Sequence, residues 1–208
     1  KPVLIDVGAH HGETIKYFIK NFDFKKIHSF EASKENFNVL TKNLKNINDP
    51  NIIVNNFGLS NQKIEHKFHE FIESSSSTLS EINLNSLYFK RKIRVLGLSN
   101  HKEKPYKISK VKLDLLDNYI EKNNINRIDL LKIDTEGHEY FVLKGLLKNM
   151  HKINYIYFEH HYDNMLDKGY TFSNIHKLLK KNNFNRVLKT KMYFRNTFEY
   201  IYENSRYN

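Results

Sequence analysis

The 208-residue sequence predicts an α/β fold: a mostly parallel sheet with helices on both faces and a C-terminal antiparallel hairpin. Three observations lead there. Short apolar runs alternate with segments of helical spacing along most of the chain, the pattern of repeated βαβ units. The first run leaves through a turn flanked by Gly8 and Gly12, in a chain with only seven glycines. Two strand-like segments near the end are separated only by Arg195 and Asn196, the spacing of a hairpin.

In order along the chain, "VLIDV" (3–7) is apolar enough to be a strand buried on both faces. Ile15, Phe18, Ile19 and Phe22 then recur on one face of a helix. "KIHSFE" (26–31) is a second strand, Phe37, Leu40 and Leu44 mark the inner side of a second helix, and "NIIVNNF" (51–57) is a third strand. A less regular region follows, with "KIEHKFHEF" (63–71), the polar run "ESSSSTLSE" (73–81), expected to be a mobile loop, and the basic "KRKIRV" (90–95). Regular order returns with "YKISKVKL" (106–113) as a strand, "LLDNYIEKNN" (115–124) as a short helix and "IDLLKID" (128–134) as a central strand. Val142, Leu143, Leu146, Leu147 and Met150 line a helix on the sheet. "INYIYFE" (153–159) is a strand, "SNIHKLLKKNN" (173–183) a helix, and "RVLKTKMYF" (186–194) pairs with "TFEYIYE" (197–203). One domain is expected over 1–208, with a basic insertion at about 88–112.

Composition narrows the function classes. No run approaches the roughly 18 to 20 apolar residues of a bilayer span, and no secretion signal opens the chain, so no membrane span and a cytoplasmic location are expected. Lys1 rather than Met comes first and the first strand begins at once, so a native N-terminus with targeting information is expected to be missing. The absence of cysteine excludes disulfides, thiolate nucleophiles and cysteine-bound zinc. The net charge of +11 comes from 28 Lys and 6 Arg. Bidentate readers of bases and phosphates are arginines, so a solvated lysine surface is favoured over a nucleic-acid face.

The stretch "DVGAHHGET" (6–14) carries the first functional signal. A glycine turn between a parallel strand and a helix lets a ligand approach the backbone. The dinucleotide fingerprint fails, because Gly8-Ala9-His10-His11-Gly12 lacks the middle glycine. Glu31, closing the second strand, can accept hydrogen bonds from both hydroxyls of a ribose. Together these features suit a nucleoside ligand without a pyrophosphate.

With "IDVGAHHGET" (5–14), "IHSFEASKENFNVLTKNL" (27–44), "NNFGLS" (55–60) and above all "IDLLKIDTEGHEYFVLKG" (128–145), the sequence resembles the FkbM family of class I, Rossmann-like methyltransferases. Two departures stand out. His10 and His11 fill positions where the family more often has Asn and an apolar residue, and the insertion at 88–112 has no counterpart. The resemblance implies S-adenosylmethionine as cofactor and an oxygen acceptor. It puts Asp6, Gly8 and Gly12 on the methionine side, Glu31 on the ribose and Asn56 and Gly58 near the adenine, with Ala9 and Ala32 as further cofactor-binding positions.

Chemistry is expected at the ends of the fourth and fifth strands, where Asp134, Thr135, Glu136, Gly137, His138 and Glu139 stand beside Glu159, His160, His161 and Asp163. Methyl transfer to an alcohol needs alignment and removal of a proton, and Asp134, Glu136, His138 and Glu159 are the expected catalytic set. The alternatives are helix capping by Asp134 and Thr135, a favourable helix end for Glu136 and Glu139, and a polar loop for His160, His161 and Asp163. Lys132, odd in a central strand, either pairs with an acid or snorkels. Nothing in the spacing demands a metal; a divalent ion on Asp134, Glu136, Glu159 and His160 is a secondary alternative. The predicted function is O-methylation of a hydroxyl on a sugar, glycan or small metabolite, and the chain lacks the Asn/Asp-Pro-Pro-aromatic tetrad of base amino-group methylation. Its rivals are an RNA or DNA methyltransferase gripping phosphates with 88–112 and 177–191, and a non-catalytic nucleotide-binding module.

Overall fold

The computed structural model describes residues 1–45, 47–98, 104–193 and 196–207. In chain order its first half comprises β1 (Val3–Val7), α1 (Glu13–Asn21), β2 (Lys26–Phe30), α2 (Lys34–Leu44), β3 (Ile52–Asn55), β4 (Gly58–Leu59), β5 (Ile64–Phe71), β6 (Glu81–Ile82), α3 (Leu87–Val95) and β7 (Tyr106–Asp114). The second half comprises α4 (Leu116–Lys122), β8 (Ile128–Ile133), α5 (Glu139–Lys144), β9 (Ile153–His161), β10 (Leu166–Asp167), α6 (Phe172–Lys181), β11 (Phe184–Lys191) and β12 (Thr197–Asn204).

The main sheet has seven strands in the order β3-β2-β1-β8-β9-β12-β11. Neighbours from β3 to β9 are parallel. The crossover through α6 sets β11 one place beyond β9, and β12 returns antiparallel to both to fill the gap. The predicted terminal hairpin is therefore present, with Lys191 opposite Phe198, and it is built into the sheet. Phe194 and Arg195, assigned to its strand and turn from the sequence, lie outside the described residues.

Alternation along the strands sorts the core. Leu4, Ile27 and Leu130 face α1 and α2, where Ile15 and Leu40 are fully buried. Ile5, Val7, Leu131 and Ile133 face the other way, against Val142 and Leu143 of α5 and Ile120 of α4. On β9 and β12, Phe158, Tyr200 and Tyr202 join that second core beside Ile175 and Leu179 of α6. The opposite face of these two strands carries Tyr155 and Tyr157, whose hydroxyls donate to Glu203 and Glu199.

The chain reverses direction across the sheet between β1 and β8. Ligands of open α/β sheets bind outside the strand ends at such a switch point. Over it lies the segment read from sequence as irregular. β5 is in fact a full strand, paired antiparallel to β7 from Ile64–Leu113 to Phe71–Tyr106, with β4 on the other side of β7. Phe68, Leu79, Val111 and Leu113 close beneath it. The polar run, expected as a mobile loop, is tied to β5 at its end: Thr78 and His69 exchange backbone bonds of 2.9 and 3.0 Å, and Ser77 Oγ accepts from the Phe71 N–H at 3.1 Å.

The basic segment 90–95 belongs to α3, capped by Ser86 Oγ, which accepts from the Phe89 N–H at 3.0 Å. α3 is anchored by Phe89 against Phe71, Met165 and Leu166. The expected insertion thus resolves into α3 and β7, with 99–103 outside the described residues. β9 runs two residues past the expected end, to His161, because Thr197 and Phe198 pair with His161 and His160. α5 stops at Lys144 rather than continuing to Met150, because Asp117 captures the backbone that follows. Its carboxylate accepts from the N–H groups of Lys148 and Asn149 at 3.0 and 2.9 Å.

Candidate active site

The ends of β1, β2 and β8 converge on a cleft lined by Gly8, His10, Glu31, Ala32, Asn36, Gly58, Asp134, Thr135 and Glu136, with Phe68, Leu79 and Ser74, Ser75 and Ser77 closing it from above. Gly8 makes the convergence feasible. Its φ is +84°, and a Cβ there would stand 1.8 Å from the Asp134 carbonyl oxygen, so only glycine lets β1 and β8 meet as they turn.

Glu31 is buried at 6% exposure and accepts from the backbone N–H groups of His10 (2.9 Å) and Ser33 (2.8 Å). Burial pushes its carboxyl up to about 7 despite those two bonds. Beneath the cleft Lys132 Nζ lies 3.3 Å from both Asp6 Oδ1 and Asp134 Oδ2, so the odd lysine of the central strand pairs with two acids. Burial lowers the ammonium pKa but the two carboxylates outweigh it, and Lys132 ends above its ordinary value. Asp6 is fully buried, and burial raises its pKa against the pull of Lys132.

Not every expected cofactor residue reaches the cleft. Asp6 acts through Lys132. Ala9 is core, and Gly12 turns toward Leu40 and Leu44 of α2. The Asn56 amide instead donates to the Glu31 carbonyl at 3.0 Å, bracing the loop that carries Glu31.

The β8–α5 turn presents Glu136 at φ +49°. Thr78 Oγ1 donates to the Glu136 carbonyl at 2.6 Å, and Ser80 Oγ to the Gly137 carbonyl at 3.0 Å. Glu139 braces the same turn by accepting from the Gly137 N–H at 2.9 Å, from Thr135 Oγ1 at 3.1 Å, and from the Tyr170 hydroxyl. The Glu136 side chain meets His161, with Oε2 and Nε2 3.2 Å apart, and His161 Nδ1 lies 3.0 Å from Thr197 Oγ1 and 3.8 Å from Asp163 Oδ2. Glu159, on the same face of β9 as His161, is pushed up to about 7 by burial and then by Asp134 and Glu136.

Two expected positions are corrected. His138 lines neither this cleft nor the cavity beside it: it is buried, its Nε2 lies 2.9 Å from Ser60 Oγ, and burial pushes its imidazole down to about 3. His160 alternates to the opposite face of β9, among Tyr162, Tyr170 and Phe172, so the metal quartet Asp134, Glu136, Glu159 and His160 is not assembled. Among the described residues the grouped potential ligands are instead His10, His11 and Glu13. They sit at the positive end of α1, where a cation is disfavoured, with the two imidazoles stacked at 3.7 Å.

Glu136 and Ser75 also line a second cavity of about 550 Å³, with α3 as one wall and His161 and Met165 deeper in. Sequence reading placed Glu136 and His161 on this rim but missed the serines, α3 and Phe68. A signal existed: Ser86 followed by Phe89 and Ile93 is a cap and one helix face.

The Methyltransferase FkbM domain model matches residues 6–186, from β1 to the start of β11. The chain belongs to the FkbM methyltransferase family. An FkbM methyltransferase from Methylobacillus flagellatus KT superposes on this FkbM domain with a TM-score of 0.62 at 15% identity, over 98% of this chain and 43% of that one. TrmK of M. capricolum in complex with S-adenosyl-homocysteine gives 0.55 at 11% identity, over 98% of this chain and 62% of that one. An rRNA methylase from Streptococcus thermophilus gives 0.52 at 9% identity, over 98% and 87%. At these identities the likeness is one of fold, and the FkbM domain spans less than two thirds of the first two proteins. No curated protein matches the chain. Among the described residues no helix is long and apolar enough to cross a membrane.

Proposed function

We propose that the FkbM domain transfers a methyl group from S-adenosylmethionine to a hydroxyl oxygen of a sugar or small metabolite. The observation that carries the reading is the meeting of Gly8, Glu31 and the Asp134–Glu136 turn around one cleft that adjoins a second cavity at Glu136. The residues fit an adenosyl group: Glu31 offers a buried carboxylate to ribose hydroxyls, and Phe68, Leu59 and Leu79 give an apolar wall for a purine. When bound, S-adenosylmethionine supplies an electrophilic methyl group on a sulfonium.

The chain's own contribution is alignment and a proton acceptor. Glu136 stands at the junction of both cavities, so its carboxylate takes the acceptor hydroxyl's proton. His161, fixed through Nδ1 by Thr197 and facing Glu136 through Nε2, holds that carboxylate in place and shares the charge. Asp134 and Lys132 set the electrostatics beneath the turn.

Calorimetric titration with S-adenosylhomocysteine tests the cofactor half. At pH 8, above the value of about 7 for the Glu31 carboxyl, Glu31→Ala is expected to weaken binding at least tenfold, in line with two lost charge-assisted bonds. Equal affinity in wild type and variant, or no binding by either, overturns it. Glu136→Gln, assayed for S-adenosylhomocysteine binding and for turnover, is expected to bind normally and lose methyl transfer. A variant impaired only in stability supports the non-catalytic module instead.

A further inference from the structure

The second cavity has a chemistry of its own, and it narrows the acceptor. Its charged groups are Glu73, Lys92, Glu136, His161 and Arg91. Lys92 Nζ lies 2.8 Å from Glu73 Oε1 and donates to Ser76 Oγ, so that ammonium is answered within the wall. Glu136 is answered by His161. Arg91 forms no ion pair among the described residues; it is exposed and lines the cavity from α3, itself held by buried Phe89. The remaining lining includes Tyr88, Tyr193, Met165 and Val95. The volume of about 550 Å³ lies in the range of small-molecule sites.

We propose that this cavity is the acceptor site and that the acceptor is an acidic sugar, a pyranose bearing a carboxylate or a phosphate. The anionic group docks on the Arg91 fork, the geometry that guanidinium offers to carboxylates and phosphates alike. Flat tyrosine rings supply apolar faces for the C–H side of the sugar ring. A hydroxyl then reaches Glu136 at the junction with the cofactor cleft, its oxygen bonding to the methyl carbon as the carbon–sulfur bond breaks and its proton passing to the Glu136 carboxylate. A neutral sugar leaves the guanidinium unanswered. This assignment rests on the methyl-transfer reading above.

The test uses the whole chain saturated with S-adenosylhomocysteine and titrated at 150 mM salt, where the Debye length is about 8 Å, with D-glucose, D-glucuronate and D-glucose 6-phosphate, and with the galactose counterparts. At least one acid is expected to bind ten or more times tighter than its neutral parent, and whether it is the carboxylate or the phosphate identifies the anion. Arg91→Ala is expected to erase the preference with S-adenosylhomocysteine affinity unchanged. Arg94→Ala, an exposed arginine on the same helix that does not line the cavity, is expected to keep it. Equal binding of acids and neutral parents, no sugar binding by a protein that holds S-adenosylhomocysteine, or a preference that survives Arg91→Ala each overturn the proposal. Failure to hold S-adenosylhomocysteine at all strikes the methyl-transfer reading instead. With the acid that binds, radiolabelled S-adenosylmethionine is expected to give an ether product, and Arg91→Ala is expected to raise KM at least tenfold with little change in kcat. A fall in kcat alone contradicts an acceptor-holding role.

Discussion

Lys132 occupies a position where a parallel strand buried on both faces calls for an aliphatic side chain. Its side chain is 13% exposed and its ammonium is balanced by Asp6 and Asp134. Removing one member of such a set strands the charges that remain, at a cost of about 3 to 5 kcal/mol. Lys132→Met is therefore expected to lower unfolding free energy by that order, and Asp6→Asn added to it to restore part of the loss; urea denaturation of the four-member cycle measures both. Glu31 gives a second residue-level expectation. Its carboxyl sits at about 7 folded against 4.5 as reference, so the folded state keeps a proton the unfolded state has released. Stability associated with Glu31 is complete below about 4.5 and is lost as pH rises through 7, by about 3 kcal/mol. Glu31→Gln does not titrate, so its stability relative to wild type is expected to climb by that amount between pH 4.5 and 8. A flat difference in urea midpoints would refute the assignment.

At the scale of elements, the 73–81 segment covers the cleft through Ser74, Ser75, Ser77 and Leu79. The enclosed space is about 90 Å³, below the roughly 300 to 1,000 Å³ in which ligands of nucleoside size sit. On the function proposed above, an adenosyl group needs more room than this, and lifting Ser74 to Ser77 with loss of the 2.8 Å contact between Ser74 Oγ and His10 Nε2 would supply it. His10→Ala is expected to increase hydrogen exchange across 74–78 and to speed S-adenosylhomocysteine association; unchanged exchange would mean that the contact does not restrain the segment. The same elements show where sequence reading stops. The strands and helices carrying Gly8, Glu31 and Asp134 were legible, because periodicity and a glycine turn are local signals. β5 was not, since its Phe68 and Phe71, three residues apart among charged and histidine side chains, fall on opposite faces and break the period of two; only the pairing with β7 reveals the strand. The length of α5 was not legible either, because Asp117, on a different helix, decides it.

Across the whole molecule, the α/β class followed from alternating segments, but the insertion of β12 between β9 and β11 is a pairing choice that no local pattern encodes. The site suffers the same limit. His138 and His160 looked like partners of Glu136 in sequence, and each is turned away by its own strand or turn, whereas His161 is turned toward it. The net charge of +11 is likewise spread, with Lys110 and Lys112 exposed on β7 and outside both cavities. Diffuse charge binds oligonucleotides through counterion release alone. Fluorescence anisotropy is expected to show RNA and DNA bound weakly at 50 mM salt and released by 200 mM. Tight, sequence-dependent RNA binding at 200 mM salt would favour the nucleic-acid reading.

The place of β12 ties a polar contact of the site to the far side of the sheet. Thr197, whose Oγ1 lies 3.0 Å from His161 Nδ1, opens β12, which pairs with both β9 and β11. Gly8, Glu31 and Asp134 belong to other segments, following the strands at the opposite side of β9. On the mechanism proposed above, Thr197→Val is therefore expected to slow methyl transfer while leaving the grip on the donor as it is.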